Sequence, residues 1–158
     1  MKRFAPILVF SALLTLAGFA GAQSSADHSQ HAASPAHGQT MTPKSIMLGE
    51  QTVAGVTAMA HLNDVGAVMA QMGKKENYHF MVMFSDAATK AAIEQGTVAM
   101  KIVDPQTGQA GAPVELMGMG NHFGADVALN GHGEYRFQVG TRLADGGTRQ
   151  FQFTYKVP

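Results

Sequence analysis

The chain has 158 residues, 11 basic and 11 acidic, so it carries no net charge with histidine neutral. That is the length of one domain with room for a core, and the even balance argues against a nucleic-acid or anionic-membrane partner. Cysteine is absent, which excludes disulfides and thiolate metal sites and leaves methionine as the soft ligand; there are 11 Met, 7 His and no Trp.

Lys2 and Arg3 precede an apolar run over residues 4–19, and Ala20-Gly21-Ala22 follows before Gln23. A basic start, an apolar middle and small residues at a cleavage point describe a secretory signal peptide over residues 1–22. The run is short of the ~20 residues that span a bilayer, so a soluble periplasmic product is expected. Removing Lys2 and Arg3 from the 11 basic residues leaves nine against 11 acidic ones, a slight negative charge. Residues 23–43 are Ser, Ala, His, Gln, Thr and Pro with hardly an apolar anchor. Such a segment buries too little surface to offset its ordering entropy, and 23–50 reads as a disordered leader. Its His28, His31 and His37 suit either a loose metal-binding tail or a solubilising linker. The folded domain is expected over 51–158.

Val56, Ala58, Ala60 and Leu62 alternate with Thr57, Met59 and His61, the period of a strand. Asp64 is placed to cap a short helix from Val65 to Met72, whose Val65, Val68, Met69 and Met72 share a face. In the next strand Tyr78, Phe80, Val82 and Phe84 point one way, aromatic and β-branched as a core requires. His79, Met81 and Met83 point the other way, where a solvent-facing sheet normally carries Thr, Lys or Glu. Residues 87–93 have helical propensity but also read as a loop. A strand follows with Val98, Met100 and Ile102 inward, then a turn at Asp104-Pro105-Gln106-Thr107-Gly108 and a strand over 114–119. A short strand is expected over 126–129. Tyr135, Phe137 and Val139 alternate in the next, and Asp145-Gly146-Gly147 turns the chain into a last strand with Phe151, Phe153, Tyr155 and Val157 on one side. About seven short strands between turn signals describe an all-β, immunoglobulin-like antiparallel β-sandwich.

The residues able to hold a transition metal fall on three of these segments: Met59 and His61; His79, Met81 and Met83; Met117, Met119 and His122. A sandwich brings distant strands together, so the three can converge on one face. Thioethers with imidazoles suit Cu(I), Cu(II) where imidazoles dominate, or iron in a mixed site, rather than Mg²⁺ or Ca²⁺. A ligating histidine needs an orienting partner, for which Asp126, Glu115 and backbone carbonyls are available. Gly120 and Gly124 beside His122 permit close approach. The plainer alternatives are methionine as core filler, His61 as a hydrogen-bonded sheet residue and His132 as an exposed turn residue. Motifs for a Ser or Cys nucleophile, a zinc protease or a phosphate loop are missing, and no enzymatic activity is expected.

Met117-Gly-Met-Gly-Asn-His-Phe-Gly-Ala-Asp-Val-Ala-Leu, followed by Gly-Glu-Tyr-Arg-Phe ending at Phe137, resembles the periplasmic iron-transport-associated family. Those are immunoglobulin-like sandwiches that bind copper or iron beside a membrane permease. The resemblance implies Met117 or Met119 and His122 as ligands, and His61 and His79 by strand position. The family's acidic ligand near its first metal-binding histidine has no clear counterpart here. A looser likeness is to small periplasmic copper-resistance sandwiches.

The expected function is therefore to buffer or deliver copper, or iron, through His122, His79, His61, Met117, Met119, Met81 and Met59. The expected partners are the metal, a metal permease or a metal-accepting protein, with a homodimer also admitted. The competing expectation is a metal-independent exported docking or structural module with a Met-rich face.

Overall fold

A computed structural model describes residues 44–158. The signal peptide and most of the leader expected from the sequence lie outside the described residues. Eight antiparallel strands follow in chain order: β1 (Ser45–Val53), β2 (Val56–Asp64), β3 (Tyr78–Asp86), β4 (Gly96–Val103), β5 (Val114–Gly118), β6 (Phe123–Val127), β7 (Gly133–Leu143) and β8 (Thr148–Val157). One six-residue helix, α1 (Gly66–Gln71), follows β2. No helix among the described residues is long and apolar enough to cross a membrane.

The strands form one hydrogen-bonded order, β1-β2-β3-β6-β5-β4-β7-β8, a nearly closed, barrel-like sheet: the all-β antiparallel expectation is met, with eight strands where about seven were expected. Closure depends on β5, which changes partner midway. Val114 to Leu116 pair with β4, and Met117 and Gly118 pair with β6. The β1-β2-β3-β6 half is thereby joined to the β4-β7-β8 half.

The inward faces follow from the period-2 pattern. Val56, Ala58, Ala60 and Leu62 of β2 and Phe80, Val82 and Phe84 of β3 are buried. Small side chains stand opposite large ones, with Ala58 facing Phe84 across the register. Phe80 and Phe137 are fully buried and stack at 5.2 Å between ring centroids, while Phe84 meets Phe123 and Phe151 at 5.8 and 5.6 Å. Each such ring contributes about 1.5–3 kcal/mol through burial, and together they tie the two halves across the interior.

Three local expectations change, and one open alternative is decided. Strand β1 begins at Ser45, inside the segment read as leader. Its alternation is broken by a register shift between Met47 and Gly49, where Gly49 has φ 122°. A two-residue turn with positive φ at Ala54 (45°) and Gly55 (76°) then reverses the chain into β2. Asp64 does not cap α1 in the usual way: its carboxylate accepts from the Gly66 N–H at 3.1 Å, and Val65 occupies the cap position. Residues 87–93 form no helix, because the Asp86 carboxylate accepts from Ala88 N–H, Thr89 N–H and the Thr89 hydroxyl. These bonds, those from Thr89 first, lower the Asp86 pKa. Finally, β6 begins at Phe123 rather than 126, directly after His122.

Candidate metal centre

Register lines up the soft donors. On the outward face, Met47 of β1 stands opposite His61 of β2, His61 opposite Met81 of β3, Met81 opposite Gly124 of β6, and Gly124 opposite Met117 of β5. Directly paired residues in an antiparallel sheet place their side chains on the same face about 5 Å apart. One row thus carries three thioethers and an imidazole across five strands, with a gap at Gly124. Beside it run Met59 opposite Met83, and Asn63 opposite His79 opposite Asp126. None of these side chains lies in the core. His61, His79, Met59, Met81 and Met83 are half-buried, and Met47 and Met117 are 65% and 68% exposed.

The gap at Gly124 is filled by the His79 ring. A Cβ on Gly124 would lie 2.8 Å from His79 Nε2 and 3.0 Å from the Phe80 carbonyl oxygen. At the other edge of the ring, His79 Nδ1 donates to Asp126 Oδ1 at 2.7 Å. The carboxylate can only accept, so the Nδ1–H tautomer is fixed and Nε2 keeps its lone pair over Gly124. Of the orienting partners available in the sequence, the structure selects Asp126 for this histidine. Glu115 lies on β5 opposite Ala99 of β4.

His122 arrives by the β5–β6 hairpin. Met119 N–H donates to the His122 carbonyl at 2.8 Å, and Gly120 turns the chain with φ 74°. His122 Nδ1 donates to the Asn121 amide oxygen at 3.1 Å, which again leaves Nε2 free. The His79 and His122 rings stand 6.3 Å apart between centroids, at 87°. Burial, and then the field of His79, hold the His122 pKa below the ordinary histidine value of 6.5, which favours the neutral ring that metals require.

Of the residues singled out from the sequence, His79, His122, Met81 and Met117 thus surround Gly124. His61 and Met59 sit one strand away on β2, and Met119 lies exposed in the hairpin. His132 lies apart, with its Nδ1 against the Pro158 carbonyl. Asn121 and Asn63 were not anticipated. The Asn63 amide NH₂ donates to Met81 Sδ at 3.9 Å, which holds the thioether in place, and its Oδ1 is buried without a partner. Among the described residues no three His, Cys, Asp or Glu side chains converge. A metal held by the two imidazoles would complete its shell from thioethers or an amide oxygen. A cavity of ≈ 690 Å³ lies elsewhere, against Ala54, Asp86, Ile93 and Arg149. Its Arg149 guanidinium is committed to the Ala54 carbonyl and to Asp145.

No family model matches the chain, and no curated relative matches it. Its fold is similar to a copper-bound single-site variant of FetP from uropathogenic Escherichia coli, with a TM-score of 0.58 at 15% identity over 72% of this chain and 97% of that one. It is also similar to a DUF4426 family protein from Pseudomonas aeruginosa, with a TM-score of 0.51 at 11% identity over 69% of this chain and 93% of the other. The resemblance drawn from Met117 to Phe137 is met at the level of the fold.

Proposed function

We propose that this chain is an exported, non-enzymatic metal-binding protein that takes copper at His79 and His122 and buffers or delivers it, with iron as the second choice of metal. One observation carries the reading. Two half-buried imidazoles each have Nδ1 tied down, to Asp126 and to Asn121, and each keeps Nε2 free, beside a row that carries Met81 and Met117. A packing histidine needs no such pair, and a hard-metal site would offer oxygens. The copper-bound FetP neighbour supports the choice of copper. A membrane permease or a metal-accepting protein would be the recipient, and the exposed Met47 and Met117 flank the site where such a partner would approach.

The test is a Cu(I) and Cu(II) titration of the exported chain, of His122→Ala, and of a variant with His28, His31 and His37 replaced by Ala. Tight one-to-one binding that survives loss of the leader histidines and collapses in His122→Ala is the expected outcome. Binding that follows the leader and ignores His122 would overturn the reading and make the folded domain a docking module that takes no metal itself.

A further inference from the structure

The β2–β3 pair continues past the imidazole centre to a second group of soft donors. Met59 and Met83 are register partners, so their side chains rise together from the outward face. Both are half-buried, and no strand or helix among the described residues covers them. Together they line a cavity of ≈ 220 Å³, whose wall also includes Glu50, Lys90 and Asn121. That volume takes an ion and several waters, at about 30 Å³ each. Glu50 stands opposite Met59 on β1. The two donors are neutral thioethers without imidazole or thiolate, a set that suits a monovalent soft cation and offers little to Zn²⁺, Mg²⁺ or Ca²⁺. One carboxylate and one ammonium border the cavity, so its own charge is balanced.

We infer that Met59 and Met83 form a second, thioether site for a monovalent soft cation of the Cu(I) class, next to the imidazole centre. Its position supports a receiving role. Asn121, whose amide oxygen accepts from His122 Nδ1, is also part of the cavity wall, and Met83 and His122 each lie one residue past the Val82–Phe123 pair. An ion accepted at the thioethers has the imidazole centre as its next stop. The inference rests on the same metal-binding reading of this face, yet it makes a separate claim about which side chains bind when the imidazoles are gone.

The experiment follows the methionine methyl resonances of ¹³C-methyl-labelled exported chain during titration with Ag(I), a redox-silent stand-in for Cu(I). It is run on the native chain and on His79→Ala/His122→Ala, with Met59→Leu and Met83→Leu to assign the signals and conserve side-chain volume. The Met59 and Met83 methyls are expected to shift in both backgrounds, and Met59→Leu/Met83→Leu to weaken Ag(I) binding in the double-histidine variant by at least about tenfold. Shifts of these two methyls that vanish with the histidines would make them ligands of the imidazole centre and overturn the second site. Methyls that never shift, while those of Met81 and Met117 do, would overturn it as well. Failure of the imidazole centre itself reads differently: copper binding by the native chain would then be insensitive to His122→Ala whatever Met59 and Met83 do.

Discussion

Asp126 Oδ1 lies 2.7 Å from His79 Nδ1, and the pair spans the register between β6 and β3. The carboxylate sets which nitrogen of the ring faces the row of methionines. Replacing Asp126 by Asn keeps an acceptor of the same shape but removes its charge and its obligation to accept. Copper affinity is expected to fall about 10–100-fold, the usual cost of losing an orienting partner. The fold should persist, because Asp126 is on the outward face; calorimetric titration beside thermal unfolding separates the two effects.

Gly124 leaves room for the His79 ring. In Gly124→Ala the new methyl meets both the ring and the Phe80 carbonyl, and the carbonyl belongs to the β3 ladder. The expected cost is about 1–3 kcal/mol of stability, as for other overpacked sites, with loss of copper binding. Gly118→Ala is the control, since its methyl meets only Phe123 Cε1, at 3.8 Å. A Gly124→Ala variant that binds copper like the native chain would remove His79 from the centre.

His122 titrates below 6.5 in the metal-free protein, with burial the larger cause and His79 the smaller. Between its folded value and 6.5 the unfolded chain holds a proton that the folded chain does not. Stability from the neutral ring is therefore present above 6.5 and is lost as pH falls through the folded value. An NMR titration of the ring protons should show a depressed midpoint that rises in His79→Ala yet stays below 6.5, because burial remains. Copper at His122 should also persist to lower pH than copper on an ordinary exposed histidine, since protons compete for the ring later.

Ala54 holds φ 45° in the β1–β2 turn, and its carbonyl accepts from both Nε and Nη2 of Arg149 at 3.2 Å. A left-handed alanine costs about 1 kcal/mol, so Ala54→Gly should raise stability by a similar amount, less the added chain entropy of glycine. Arg149→Met should lower the unfolding midpoint, because it frees the turn from β8 and leaves Asp145 without its partner. Copper affinity should be unchanged in both, because neither residue adjoins the imidazoles.

Strands β2, β3, β7 and β8 were legible because one face of each is buried and alternation is strict. Strand β1 was not, since the break at Gly49 interrupts its period and Ala54-Gly55 lacks the Asn-Gly or Asp-Gly signal of such turns. Over 87–93, which the sequence left open between helix and loop, three hydrogen bonds onto one Asp86 carboxylate decide for the loop, a competition that propensity does not register. The outward Met and His residues were visible as the wrong chemistry for a wet sheet face. Their alignment was not, because a row across five strands is set by register and by the change of partner within β5. Asn121 and Asn63 carried no signal, since an amide matters here only through the atom it happens to face.

The order of strands begins at β1 and ends at β8, and these two lie side by side with the Gln152 N–H donating to the Gln51 side chain. A wall that is laddered everywhere else has one stitched seam, and local opening is cheapest where the fewest backbone bonds must break. Hydrogen exchange should therefore advance from β1 inward and reach β3 and β6 last. Peeling β1 away carries off Met47 and leaves Met81, Gly124, Met117, His79 and His122 standing on β3, β5 and β6. The first strand can breathe while the two imidazoles keep their places, so the opening of the shell and the geometry of the histidine pair are set by different parts of the same sheet.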